Sequence, residues 1–218
     1  MKKNPSLFCD RRGTVWLHLN RIVLTLGISS MLVTAEELST PPTPKDPGAK
    51  QALAPRNDIP GLTNFAKVSD VLYRGAQPDA EGFAELKKMG VKTIINLRQF
   101  HSDRDNMMGT GLQYMHMYCK AWHPEDEDIV KFLKVLEAPQ NQPVFVHCQH
   151  GSDRTGMMVA SYRIVEQDWN TEEAAKETHI FGFHKIFAEI QKHLKNFQTD
   201  KIKKQIKEAV CPTLEVIK

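Results

Sequence analysis

The chain has 218 residues, 41% of them hydrophobic and 25% charged, ordinary values for a globular protein and long enough to build a core without disulfide or metal staples. Its formal net charge of +3 sits at the front. Without the first 35 residues, 24 basic side chains face 25 acidic ones, which excludes the basic excess of a nucleic-acid binder.

The first predicted element is an export signal. Basic residues run up to Arg21, the 12 residues from Ile22 to Val33 are mostly apolar, and Val33-Thr34-Ala35 ends in small side chains. That order predicts a signal peptide over residues 1–35. The apolar stretch is well short of the roughly 20 residues that span a bilayer. The mature chain is therefore expected to have no stable membrane span and to be periplasmic or secreted. Cys9 leaves with the signal, and Cys119, Cys148 and Cys211 remain. An odd number leaves at least one thiol without a partner in the chain, so the protein is not a disulfide scaffold.

Residues 36–57 contain Pro41, Pro42, Pro44, Pro47 and Pro55. They predict a linker rather than a helix or strand. The folded domain is expected over residues 58–200. Val71–Arg74 reads as a short strand. Gln77-Pro78-Asp79 opens a helix that runs to Met89, with Gly90 as its stop. Val91–Leu97 is apolar and β-branched, the pattern of a buried strand, and Leu112–Cys119 is a weaker one. Glu127–Leu136 places Ile129, Val130, Leu133 and Leu136 on one helical face.

Pro143–His147 reads as a central strand, and Arg154–Glu166 as a helix. Asn170 or Thr171 caps the next one. His184–Phe197 is expected to turn Ile186, Phe187, Ile190 and Leu194 inward. The Lys-rich residues 201–218 predict a solvated tail helix. His116, between Met115 and Met117, is expected to be packed rather than to bind copper, and Cys119 to be core rather than a redox partner of Cys148. The alternation of strands and helices predicts an α/β fold with a central, mostly parallel sheet flanked by helices. Ligands bind such sheets beyond the carboxyl ends of the strands, which places the site just after His147.

That segment is Cys148-Gln149-His150-Gly151-Ser152-Asp153-Arg154-Thr155. A thiol and a guanidinium flank a loop that runs into a helix N-terminus. Inward-pointing N–H groups form an anion cradle there, and the helix end adds roughly half a positive charge. A phosphate group suits the place. The same field favours a thiolate, so Cys148 is the expected nucleophile. Arg154 offers a planar fork for two phosphate oxygens. Gln149, His150, Gly151, Ser152, Asp153 and Thr155 are the expected substrate-binding residues. Thr155 is a donor to the sulfur, and His147 orients the loop.

His147–Gly156 resembles the His-Cys-x5-Arg-Ser/Thr loop of protein tyrosine phosphatases. The wider stretch is similar to an exported bacterial branch of the dual-specificity-like phosphatases. It includes Leu72–Pro78, Thr93–Arg98 and Tyr162–Val165, within residues 62–197. The resemblance implies a phosphocysteine intermediate, no metal or other cofactor, and a carboxylic acid on a mobile loop. It also implies a phosphorylated protein, carrying phosphotyrosine and also phosphoserine or phosphothreonine, as partner and substrate. The loop 121–128 is similar to the Trp-Pro-Asp loop of that family but has His123 inserted and Glu125 after the proline. Asp126 is the expected acid and Glu125 the alternative, with Asp103 and Asp105 further off. Asp153 is expected to repel additional phosphates. The alternatives are a phosphate-binding scaffold of weak activity, and a phosphatase of a non-protein phosphate such as an inositol phosphate. Arsenate reduction or sulfur transfer is disfavoured by the late position of the loop.

Overall fold

Residues 53–218 are described by a computed structural model of the chain. The expected signal peptide and linker residues 36–52 lie outside them. Six short strands form one sheet: β1 (Ala66–Lys67), β2 (Leu72–Gly75), β3 (Thr93–Asn96), β4 (Gln113–His116), β5 (Val144–His147) and β6 (Glu215–Val216), in the order β1-β2-β5-β3-β4-β6. The four central strands are parallel, and β1 and β6 close the edges antiparallel. Between and after them lie α1 (Ala80–Lys88), α2 (Arg104–Met107), α3 (Asp126–Glu137), α4 (Asp153–Glu166), α5 (Thr171–Ile180), α6 (Ala188–Lys195) and α7 (Thr199–Glu208). This is the predicted α/β fold.

Every residue of β3 and β5 is buried, so their near-continuous apolar runs face packed side chains on both sides of the sheet. Alternation then sorts them. Ile94 and Phe145 join Phe83, Leu86 and Tyr114 on one face, while Ile95, Val144 and Val146 join Ile129, Leu133, Met158 and Ile190 on the other. The N-caps follow from short polar side chains. The Asp79 carboxylate accepts from the Gly82 amide at 2.9 Å, and Asn170 Oδ1 from the Glu173 amide at 2.8 Å. From Thr155 to Val165, α4 is buried all round, which accounts for the lack of a polar stripe in its sequence.

The register decides where the site forms. Gly75 and Asn96 both pair with His147, so β2, β3 and β5 end at one level. The chain after His147 therefore emerges in a crevice between the ends of its two neighbours.

Two expectations are corrected. The tail is not a free solvated helix. Ile202 and Ile206 of α7 are buried in the main core, and β6 pairs with β4. Helix α7 does carry a Lys-rich outer face, and the lysines dominate the sequence there while two apolar residues decide the packing. Nor does the 184–197 segment turn all four apolar residues inward. A 3-10 turn at Lys185–Phe187 shifts the phase, leaving Ile186 85% exposed while Ile190 and Leu194 are buried. At the other end, Arg56 pairs with Phe65, so the linker is already tied to the domain before residue 58.

Ile202→Ala should cost about 2–4 kcal/mol, as for other fully buried large-to-small changes, read as a lower urea midpoint with unchanged slope. A cost under about 0.5 kcal/mol would be that of a surface position.

Candidate active site

The loop after β5 is held from behind by buried charges. Gly151 has φ +71°, and a Cβ there would stand 2.5 Å from the Gly75 carbonyl carbon, so only glycine fits both the turn and the contact. Arg74, fully buried on β2, donates from Nη2 to the Gly151 carbonyl at 2.5 Å and stacks on the Phe181 ring at 3.6 Å. Burial pulls its pKa down to about 10, with Glu177 and Cys148 opposing the shift. Asn64 donates to both the His150 and Phe181 carbonyls, at 2.9 and 3.0 Å. It thereby staples the loop to the turn after α5.

His147 has no exposed surface. Its Nε2 donates to the Asp103 carboxylate at 2.8 Å, and its Nδ1 meets the Cys148 carbonyl at 3.2 Å. The predicted orienting role of His147 thus has a physical partner. Asp103 also accepts from Gln77 Nε2 at 2.5 Å, and its amide donates to the Tyr114 hydroxyl. It is committed to holding the loop and is not free to shuttle protons to a substrate.

Cys148 is 2% exposed, at the floor of the loop. Arg154, half-buried at the start of α4, donates from Nη1 to the Leu97 carbonyl at 3.2 Å. Its Nε is buried with no partner, and so is the Thr155 hydroxyl. Buried polar groups left unpaired are costly. Gln149 and His150 are exposed at the crown of the loop.

The Ser152 and Asp153 side chains are engaged with the turn after α5. The Asp153 carboxylate accepts from the His184 amide at 2.8 Å, from His184 Nδ1 at 2.9 Å and from the Ser152 hydroxyl at 3.1 Å. Both side chains are buried and face the turn after α5. Asp153 therefore does not stand in the path of further phosphates. The loop sequence alone does not show that its one acidic side chain is claimed by a histidine 31 residues on.

The expected acids lie on the segment 121–128. Asp126 Oδ2 pairs with Lys201 at 2.7 Å and its Oδ1 with His193 at 3.2 Å. Glu125 pairs with Lys120 at 3.3 Å and His123 at 3.8 Å. A groove lined by Trp122, His123, Phe197 and Lys201 runs beside Asp126, and no residue of the 148–155 loop lines it. Asp128 lies differently. It is half-buried, close to the buried Cys119. Burial raises the Asp128 carboxyl above the ordinary aspartate value, against Lys131 and with Glu125 and Glu127 nearby. Burial and Asp128 push the Cys119 thiol up strongly. Cys119 is fully buried and unbridged, a packed thiol as expected.

The sequence reading gave no role to Arg74 and Asn64, whose hydrogen bonds hold the loop. One signal was available: Arg74 interrupts an otherwise apolar strand, and a charge in a buried strand has to be paired or functional.

The comparisons agree with this geometry. Residues 60–213 match the family model described as "Tyrosine phosphatase family". The dual specificity protein phosphatase TpbA of Pseudomonas aeruginosa PAO1 is 30% identical over 177 residues, covering 79% of this chain and 76% of that protein. Its counterpart in strain UCBPP-PA14 is 32% identical over 141 residues, covering 64% of this chain and 62% of its own length. The inositol diphosphatase SIW14 of Saccharomyces cerevisiae is 27% identical over 150 residues, covering 65% and 53%. The crystal structure of P. aeruginosa TpbA superposes with a TM-score of 0.64 at 28% identity, covering 72% of this chain and 98% of that one. With its buried thiol, the arginine six residues on and the sheet that carries them, the chain belongs to the tyrosine phosphatase family, in the dual-specificity-like branch, and is a phosphatase.

Proposed function

We propose that the protein hydrolyses phosphotyrosine in proteins, and phosphoserine or phosphothreonine as well, through a phosphocysteine intermediate. The observation that carries the chemistry is the pair of orphaned donors, Arg154 Nε and Thr155 Oγ1, at the end of the loop that begins with the buried Cys148 thiol. The Cys148 thiolate attacks phosphorus and the ester oxygen departs. Arg154 holds two in-plane oxygens through the transition state. The leaving oxygen takes a proton from Asp128, the half-buried carboxyl of the 121–128 segment that burial holds above the ordinary aspartate value. In the second step the Asp128 carboxylate takes a proton from water, the water oxygen bonds to phosphorus, and the S–P bond breaks to release inorganic phosphate. Thr155 donates to the departing sulfur.

An aromatic carrier of the phosphate is supported by the exposed aromatic residues Phe100, Tyr118 and Trp122 on the loops leaving β3 and β4, at 88, 64 and 60%, apolar surface of the kind that meets a peptide. TpbA has also been solved with pTyr, at a TM-score of 0.64 and 26% identity. A second reading, an inositol phosphate as substrate, is favoured by Arg98 at the mouth and by relatives named inositol diphosphatases.

The test is hydrolysis of para-nitrophenyl phosphate, a phosphotyrosine peptide and an inositol phosphate, with EDTA present and with vanadate as inhibitor. Turnover of the first two that vanadate blocks supports the proposal. Turnover of the inositol phosphate alone would replace it with the second reading. Tungstate binding without turnover of any substrate would make the protein a phosphate-binding module. We also propose export, with residues 1–35 removed. Cell fractionation that finds the full-length chain in the cytoplasm would overturn it.

A further inference from the structure

Arg98 is the second residue beyond β3, whose register sets Asn96 opposite His147. The intervening Leu97 gives its carbonyl to Arg154. Arg98 therefore stands one residue from the atom that anchors the phosphate-gripping guanidinium. Its backbone is pinned on both sides. Its amide donates to Asn96 Oδ1 at 2.8 Å, and its carbonyl accepts from His116 Nε2 at 2.6 Å. His116 in turn stacks on the exposed Tyr118 at 4.4 Å.

The side chain is half-buried and forms no ion pair among the described residues. Its one hydrogen bond runs from Nη1 to the neutral Gln77 Oε1 at 3.2 Å, and the Gln77 amide is already committed to Asp103. Burial and the neighbouring Arg154 lower its pKa, with Asp103 and Cys148 opposing. Arg98 and Arg154 are thus neighbouring guanidiniums, and Arg98 reaches the nearest carboxylate, Asp103, only through Gln77. Such an arrangement is unfavourable until an anion enters, and a pre-placed guanidinium fork then binds it well. The scissile phosphoryl needs Arg154 and the loop amides. Arg98 is left for something else.

We propose that Arg98 is a specificity residue that holds a second anionic group of the substrate, beside the phosphoryl taken by Arg154. The inference rests on the reading of the 148–155 loop as a phosphoryl site. The second anion is either a carboxylate next to phosphotyrosine in a peptide or a neighbouring phosphate on a cyclitol. Both meet Arg98 with the same chemistry.

Affinity separates the sources without requiring turnover. Full-length protein carrying Cys148→Ser is titrated by calorimetry with two phosphotyrosine peptides, one flanked by Glu and one by Gln, and with an inositol bisphosphate and a monophosphate. The Kd ratio within at least one pair should be about tenfold in favour of the doubly anionic ligand, as expected for a charge-assisted pair. Adding Arg98→Gln should bring that ratio to about one, and Arg98→Lys should restore part of it. Which pair responds identifies the source. If Arg98 served only packing, its loss would weaken all four ligands alike and leave the ratios standing. Ratios near one in the parent, or ratios that survive Arg98→Gln, overturn the proposal. Turnover of para-nitrophenyl phosphate by the unmodified protein tests the phosphatase reading separately.

Discussion

Cys148→Ser should abolish phosphate release from para-nitrophenyl phosphate, lowering kcat by at least about 10⁴-fold, the scale on which covalent enzymes lose rate when the nucleophile is removed. The serine hydroxyl is a far weaker nucleophile than a thiolate at neutral pH. The anion cradle is built from other groups: the loop amides, Arg154, and behind them Arg74 and the His147–Asp103 pair. Tungstate should therefore still bind the variant and raise its Tm, by mass action on the folded state. A loss of less than tenfold would mean that the sulfur does not attack phosphorus. Loss of tungstate binding together with activity would mean that the loop had collapsed, and the assignment of roles within it would fail.

Asp128→Asn should lower kcat for para-nitrophenyl phosphate by about 10²–10³-fold, within the range of general acid–base catalysis. Asp126→Asn and Glu125→Gln should each cost less than about threefold, because those carboxylates pair with Lys201, His193, Lys120 and His123 at the surface. In the unmodified protein kcat should fall on the alkaline side as Asp128 loses its proton, and the raised carboxyl moves that limb upward from the ordinary aspartate range. The variant should lose the limb.

Stability should change in the opposite sense. A carboxyl whose folded pKa lies above its unfolded value stabilises the fold fully only below the unfolded pKa, and that contribution fades as pH rises through the folded value. At pH 7 the ionised Asp128 is thus held at a penalty that asparagine lacks. Asp128→Asn should keep or raise Tm at pH 7 while activity falls, a combination that separates catalysis from folding. A large loss from Asp126→Asn with none from Asp128→Asn would return the acid to Asp126.

Much of the architecture could be read directly from the chain. Val144–His147 and Thr93–Asn96 are apolar runs of strand length, and a strand buried on both faces needs no alternation to declare itself. Asp79 and Asn170 mark their helices because a short polar side chain at an N-cap acts on an amide two or three residues away. Cys148, Arg154 and Thr155 were legible for the same reason. One loop of eight residues carries the thiol, the guanidinium and the hydroxyl, so the spacing alone implies that they lie in one loop.

The remaining features depended on contacts between distant segments. That Asp153 belongs to His184, that Asp126 belongs to Lys201 and His193, and that Asp103 supports His147 are pairings across 31, 75 and 44 residues. A carboxylate reads the same in sequence whether it faces a substrate, a lysine or a buried imidazole. Only the packing of α6 and α7 against the 121–128 segment, and of the loop after β3 against β5, decides which charge is spent and which is left free. The tail shows the same limit, because Ile202 and Ile206 become core residues only once a surface exists for them to cover. Local chemistry was determined within single segments, and the division of labour among the charged groups was determined by tertiary structure, because electrostatic partners are chosen by distance in space.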